Sequence, residues 1–250
     1  MEIIAQRPKS LTDLQFTYCP GCTHGMSHRL IAEAIDELDL RNKMMGVAPV
    51  GCSVFAYKFF NFDMAEAAHG RAPAVATGMK RARPDMHIFT YQGDGDLAAI
   101  GMAEIIHAAN RGEQMTVFFV NNAIYGMTGG QMAPTTLPNM KTSTSPYGRD
   151  VDDIGYPIQV CEMLSTLNAP YFIERVSLLS ATDVMKAKKV VKKALQFNKE
   201  SRGFTFVEFV STCPTNWGLS PQDAMKWAKE NMYEFFPIKN FRNKSLEGGA

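Results

Sequence analysis

Near-continuous apolar runs along this chain alternate with stretches in which apolar residues recur every three or four positions. The runs at 45–50, 86–92, 115–120, 171–176 and 204–210 have the length and content of strands buried on both faces. Between them, 25–40, 72–83, 96–111, 157–167 and 183–197 carry helical periodicity. Gly112 stands where a helix C′ residue belongs. Ser180 with Asp183 three positions on forms a capping box. Alternation of this kind predicts an α/β fold, a doubly wound and mostly parallel sheet whose ligands bind at the carboxyl ends of its strands. Residues 121–156 break the rhythm. They are rich in Gly, Thr, Met and Pro, and a loop of that length is usually functional. No repeat or low-complexity block divides the chain, which reads as one domain over 1–250 with a frayed tail at 243–250.

Composition narrows the function. With 250 residues, 46% of them hydrophobic, the chain can build a core without disulfide staples. Lys and Arg number 26 against 25 Asp and Glu, so no overall field recruits nucleic acid or an anionic membrane. The opening residues have no apolar signal region and no apolar run reaches membrane length, so a cytoplasmic protein is expected. In that compartment five cysteines read as metal ligands or redox groups.

The run at 86–92 ends in Gly93-Asp94-Gly95-Asp96, with Ala98 beyond, and a predicted helix follows. This fits a dinucleotide fingerprint, and it also fits an ordinary strand-to-helix turn with an Asp cap. Against the first, Asp94 and Asp96 would repel a pyrophosphate unless a cation lay between, and the next strand ends in Asn121-Asn122 rather than in an acidic ribose ligand. Mg²⁺ resolves the repulsion, and Asn122 can add an amide oxygen to it. The cysteines supply a second constellation. Cys19-Pro20-Gly21-Cys22 alone suits a redox pair or half a zinc site. Cys52 and Cys213 each follow a predicted strand and belong at the same sheet edge, whereas Cys161 lies inside a predicted helix and reads as a buried apolar residue. Four thiolates suit zinc or an iron–sulfur cluster, and one C-x-x-C with two distant single cysteines is unlike a zinc ribbon.

Gly93-Asp94-Gly95 followed by Asn121-Asn122 resembles the motif that binds thiamine diphosphate (TPP) and Mg²⁺. With Cys19-Pro20-Gly21-Cys22, Gly51-Cys52-Ser53, His69-Gly70-Arg71-Ala72, the loop from Asn122 to Gln131, and Thr212-Cys213-Pro214, the set resembles the TPP-binding β subunit of the 2-oxoacid:ferredoxin oxidoreductase family, in the expected order. The resemblance implies Asp94, Asn122 and the Ile124 carbonyl as Mg²⁺ ligands. It implies cofactor contacts from Gly93, Gly95, Asp96, Gly126, Met127, Thr128, Ser53, Gly70 and Arg71. It further implies a 4Fe-4S cluster on Cys19, Cys22, Cys52 and Cys213. His69 and His24 are the candidate catalytic side chains, while His28, His87 and His107 sit on regular elements and read as structural. The implied reaction is oxidative decarboxylation of a 2-oxoacid with CoA, ferredoxin taking the electrons and a separate α subunit completing the site. A redox cluster beside TPP has a use that zinc lacks, because it can take electrons from the decarboxylated adduct.

Two rivals remain at this point. A non-redox TPP decarboxylase or synthase leaves the cysteines unexplained, and a zinc-stabilised nucleotide-binding module predicts zinc and no TPP. The segment Val54 to Phe60 is largely apolar. If it lines the pocket, a branched-chain 2-oxoacid is favoured over 2-oxoglutarate, whose distal carboxylate wants an Arg or Lys that Lys58 or a partner chain could supply. The aromatic run Phe55 to Phe62 is expected at the α-subunit interface. None of Glu66, Glu104, Glu113, Glu162, Glu174 and Glu208 stands in a context that would serve the aminopyrimidine. Lys186, Lys188, Lys189, Lys192 and Lys193 form a solvated face, or a docking patch for an acidic ferredoxin.

Overall fold

The computed structural model describes residues 6–247. Seven strands form one sheet: β1 (Met44–Ala48), β2 (Asp63–Glu66), β3 (His87–Gly93), β4 (Thr116–Asn121), β5 (Phe172–Ser177), β6 (Thr205–Val210) and β7 (Asn240–Asn243). Their spatial order is β2-β1-β3-β4-β6-β5-β7, with every pairing parallel except that of β7 with β5. The helices are α1 (His24–Glu37), α2 (Ala56–Phe59), α3 (Ala72–Ala82), α4 (Met102–Asn110), α5 (Val151–Ile154), α6 (Val160–Ser165), α7 (Ala181–Lys199), α8 (Pro214–Trp217), α9 (Pro221–Phe235) and α10 (Lys244–Glu247).

Side chains alternate across the sheet, as the two-residue period of a strand requires. Phe89, Tyr91, Phe118, Val120, Val207 and Phe209 pack against α1 and α7, through Ile31, Ile35, Val191 and Leu195 among others. Ile88, Val117, Phe119, Ile173 and Phe206 face the other way, onto α3, α4 and α6. Both faces are covered, which explains why the strands read as unbroken apolar runs. Ser180 caps α7 as expected, its hydroxyl accepting the Asp183 amide at 3.2 Å, and Gly112 takes a left-handed φ of +64°.

Three parts of the expected pattern change. The helix foreseen over 96–111 is a π turn at Asp96–Ile100 followed by α4, because the Gly101 amide reaches back to the Asp96 carbonyl at 2.8 Å. The backbone of Gly70 presses on that joint: a Cβ on Gly70 would lie 2.6 Å from the Gly101 nitrogen. The expected frayed tail is instead β7 and α10 as far as Glu247, with 248–250 outside the described residues. Asn243 pairs with Phe172, and Lys244 ties down through its amide to Tyr171 and its ammonium to Asn168. The basic stretch of α7 is partly spent within the fold: Lys188 and Lys192 pair with Glu33 and Glu37 of α1, and Lys193 lies over the rings of Phe172 and Phe197. Among the described residues no helix is long and apolar enough to cross a membrane.

Candidate cofactor site at the carboxyl edge of the sheet

Strands β1, β3, β4 and β6 are consecutive neighbours, so their carboxyl ends form one ledge. Cys52 and Ser53 follow β1, Asp94 follows β3, Asn122 follows β4 and Cys213 follows β6. The chain leaves β1 for β2 on one side and leaves β3 for β4 on the other. The crevice between β1 and β3 is therefore a topological switch point. A cavity of about 130 Å³ opens there. It is lined by His24, Val50–Ser53, His69, Gly93–Asp96, Asn122 and Ile124–Thr128.

Asp94 is 3% exposed and held by neutral donors. Its carboxylate accepts the Gly95 amide at 2.8 Å, the Asn122 amide at 3.3 Å and the Thr135 hydroxyl at 2.7 Å. Burial pushes its pKa up to about 6, against the pull of these hydrogen bonds. Asn122 turns its own Oδ1 to the Ile124 amide at 3.3 Å. Ala123 between them adopts φ +59°, which sharpens the turn after β4. Thr135 was not foreseen. It stands in the long irregular segment, and only the fold brings it to Asp94.

Asp96 lines the cavity, yet its carboxylate is committed inward. It accepts from Gln92 Nε2 at 2.7 Å and the Gly70 amide at 2.6 Å, and it holds His69 Nδ1 at 2.5 Å. With Nδ1 so occupied, Nε2 is the ring nitrogen left to His69 at the cavity. His24 is buried, bonded through Nδ1 to the Tyr91 hydroxyl at 2.6 Å and stacked on Tyr18. Burial lowers its pKa to about 4, so it is neutral at pH 7. Gly70 and Arg71 lie outside the cavity lining: Gly70 serves the contact with Gly101, and Arg71 pairs with Glu104 and the Ile100 carbonyl. Gly95 is required by packing, since a Cβ there would enter the Tyr125 ring, whereas a Cβ on Gly93 meets nothing.

The cysteines gather beside the cavity. Cys22 and Cys52 are pushed up to about 12 and about 11, first by burial and then by the neighbouring thiols. Cys213 is raised by burial, with hydrogen bonds from Asn216 opposing. A single point, where a Cβ of Gly126 would stand, lies 3.3 Å from Cys52 Sγ and 3.6 Å from Cys213 Sγ. Cys19 is exposed, and Cys161 is buried away from the group. Among the described residues no three His, Cys, Asp or Glu side chains are arranged to hold a single metal ion.

Residues Val54 to Phe60 do not line the cavity. Phe59 and Phe60 are buried around His28, and Lys58 sits over the rings of Phe55 and Tyr57. The lining contains no Lys, Arg or Glu.

A family model described as the thiamine pyrophosphate enzyme C-terminal TPP-binding domain matches residues 49–209. Ketoisovalerate oxidoreductase subunit VorA of Methanothermobacter marburgensis is 54% identical over 230 residues, covering 92% of this chain and 48% of VorA. The 2-oxoglutarate synthase subunit KorB of Methanocaldococcus jannaschii is 36% identical over 241 residues, covering 94% of this chain and 85% of KorB. Among solved structures, a 2-oxoglutarate:ferredoxin oxidoreductase from Magnetococcus marinus, with 2-oxoglutarate, coenzyme A and succinyl-CoA bound, superposes with a TM-score of 0.76 at 27% identity. That match covers 97% of this chain and 86% of the other. The chain spans about half the length of the VorA relatives it matches.

Proposed function

Because this chain belongs to the thiamine pyrophosphate enzymes, and among them to the TPP-binding subunits of the 2-oxoacid:ferredoxin oxidoreductases, we propose that it serves the CoA-dependent oxidative decarboxylation of a branched-chain 2-oxoacid, with electrons leaving through a 4Fe-4S cluster to ferredoxin. One observation carries the reading: adjacent strand ends bring Cys52, Asp94 and Asn122 to a single crevice and set Cys213 behind its Gly126 wall.

The residues present fit the groups proposed. Asp94 is a buried carboxylate with neutral donors and no cationic partner among the described residues, which is the environment a divalent cation relieves. Ser53 Oγ is buried without a hydrogen-bond partner among the described residues, and Ser53 borders the cavity. In this reading Asp94, Asn122 and the Ile124 carbonyl hold Mg²⁺. Gly126, Met127 and Thr128 wrap the diphosphate. Cys19, Cys22, Cys52 and Cys213 hold the cluster. TPP, when bound, supplies the carbanion chemistry of decarboxylation. The chain contributes orientation, exclusion of water and proton handling. His69 is fixed by Asp96 so that Nε2 can accept or return a proton at the cavity, and neutral His24 supports the wall behind it.

The cavity wall offers no cation to a distal carboxylate, which supports an uncharged side chain on the substrate. Relatives acting on ketoisovalerate, at 54% and 52% identity, support the same choice over the 2-oxoglutarate relatives at 36%. The cavity falls below the ~300–1,000 Å³ of a complete small-molecule site and contains no glutamate for the aminopyrimidine. Val50 and Met127 are exposed at its mouth. A second polypeptide, the α subunit, is proposed to close it.

The test is anaerobic reconstitution with iron, sulfide, TPP and Mg²⁺. The expected result is a 4Fe-4S spectrum that is lost on Cys19→Ser, Cys22→Ser, Cys52→Ser or Cys213→Ser and kept on Cys161→Ser. Dye reduction by 2-oxoisovalerate is expected to require an added α subunit. Equal iron in all five variants, or turnover by this chain alone, would overturn the respective parts.

A further inference from the structure

One amide joins the two halves of this site. Asn216 Nδ2 lies 2.7 Å from the Gly126 carbonyl and 3.2 Å from Cys213 Sγ. The Gly126 carbonyl can only accept, so the NH₂ end of the amide faces it, and an NH₂ group has two hydrogens to give. The placement follows from local structure. Cys213 precedes α8, a single turn begun by Pro214, in which the Trp217 amide bonds back to the Cys213 carbonyl at 3.0 Å. Position 216 therefore returns over Cys213. The facing loop makes room: Gly130 has φ +83°, and a Cβ on it would crowd Asn216 Cβ at 3.1 Å. Gly126 is likewise bare where a Cβ would lie 3.3 Å from Cys52 Sγ.

We propose that Asn216 is a positioning residue that ties Cys213 to the Gly126 loop and raises the reduction potential of the cluster. The inference rests on the function proposed above. Reduction by one electron adds negative charge that the sulfurs share. An N–H aimed at a sulfur stabilises the reduced form more than the oxidised form, and hydrogen bonds to sulfur are among the features that set cluster potentials. The same amide fixes the carbonyl that orients the diphosphate loop, so electron acceptor and cofactor share one anchor.

The experiment is an EPR-monitored redox titration of the anaerobically reconstituted holoprotein, compared with Asn216→Leu and Asn216→Asp. Equal iron and sulfide content is expected in all three. The midpoint should fall in Asn216→Leu, which removes the donor, and fall further in Asn216→Asp, which places negative charge at the sulfur. Calorimetry with Mg²⁺ should show TPP binding weakened roughly 5-fold in Asn216→Leu, the effect of one lost hydrogen bond. An intact cluster with unchanged midpoint in both variants overturns this inference and leaves the proposed function standing. Loss of iron from both variants assigns Asn216 to holding the cluster together and overturns it as well. A wild-type chain that takes up no iron overturns the cluster assignment and this inference with it.

Discussion

Asp94, just past β3, and Glu208, on β6, are carboxylates of one sheet with β4 between them, both removed from water, and the fold treats them oppositely. Glu208, on β6, receives an internal cation. Arg175 Nε on β5 lies 2.9 Å from Glu208 Oε2, a charged contact not aligned as a hydrogen bond, while Asn121 Nδ2 donates to Oε1 at 2.8 Å. Arg175 also grips Glu162 of α6 and lies between the rings of Phe236 and Phe241. Among the described residues Asp94 receives only amides and a hydroxyl. A charge neutralised by the chain belongs to the architecture; a buried charge left uncompensated at a cavity marks a place for something else.

The largest expected effects separate the two. Arg175→Ala should cost about 3–5 kcal/mol in denaturant unfolding, because Glu208 is left buried without its cation. Its folded fraction should still bind TPP with Mg²⁺. Asp94→Ala should do the reverse: calorimetry with Mg²⁺ should show TPP affinity down by at least about 100-fold, the loss of a hydrogen-bonded charged ligand, with stability of the metal-free chain kept or raised. Unchanged affinity in Asp94→Ala, or an undiminished unfolding free energy in Arg175→Ala, would erase the distinction.

The smaller test is pH. Burial raises Asp94 to about 6 from 3.8, so the folded chain binds this proton more tightly than the unfolded chain does. Stability from this group is therefore greatest below the unfolded pKa and is lost as pH rises through about 6. Without Mg²⁺ the loss should approach about 3 kcal/mol over the full titration, roughly 2.4 kcal/mol of it between about pH 4 and pH 7. Asp94→Asn should remove that slope. His24 and His28, which burial keeps neutral, titrate in both proteins and cancel in the difference. Saturating Mg²⁺ should flatten the wild-type slope too, by holding the carboxylate ionised. Identical pH profiles for wild type and Asp94→Asn would show that Asp94 is not strained by burial.

Much of this contrast was legible in the sequence, on one side only. The core strands and main helices follow from apolar runs and helical spacing, and the ledge of Cys52, Asp94, Asn122 and Cys213 follows from each standing just past a strand. Strands β2 and β7 escaped, since Asp63–Glu66 is half polar and Asn240–Asn243 pairs antiparallel at the sheet edge. Helix α9 escaped although Ser220 caps it and Pro221 begins it. Thr135, Asn216 and the Arg175–Glu208 pair depend on contacts between residues far apart in sequence or across a turn, which no local period encodes. Arg71 shows the converse: it stands beside His69 in a family motif, yet its guanidinium is drawn to Glu104 on α4.

Ser53 offers the finest test of how a site differs from a core. The residue is 1% exposed and its hydroxyl has no partner among the described residues, although it borders the cavity. A buried hydroxyl left unpaired in the interior is destabilising, so replacing the hydroxymethyl side chain with a methyl group should not harm a core. Ser53→Ala should therefore leave the unfolding free energy of the metal-free chain within about 0.5 kcal/mol of wild type, or raise it. In the presence of TPP and Mg²⁺ the order should invert. If the hydroxyl is kept for the cofactor, wild type gains stabilisation on loading that the variant lacks, by about 1 kcal/mol, one hydrogen bond. Thermal unfolding with and without TPP and Mg²⁺ measures both quantities on the same samples. Equal stabilisation of the two proteins by the cofactor would mean that Ser53 is an unfilled corner of the core.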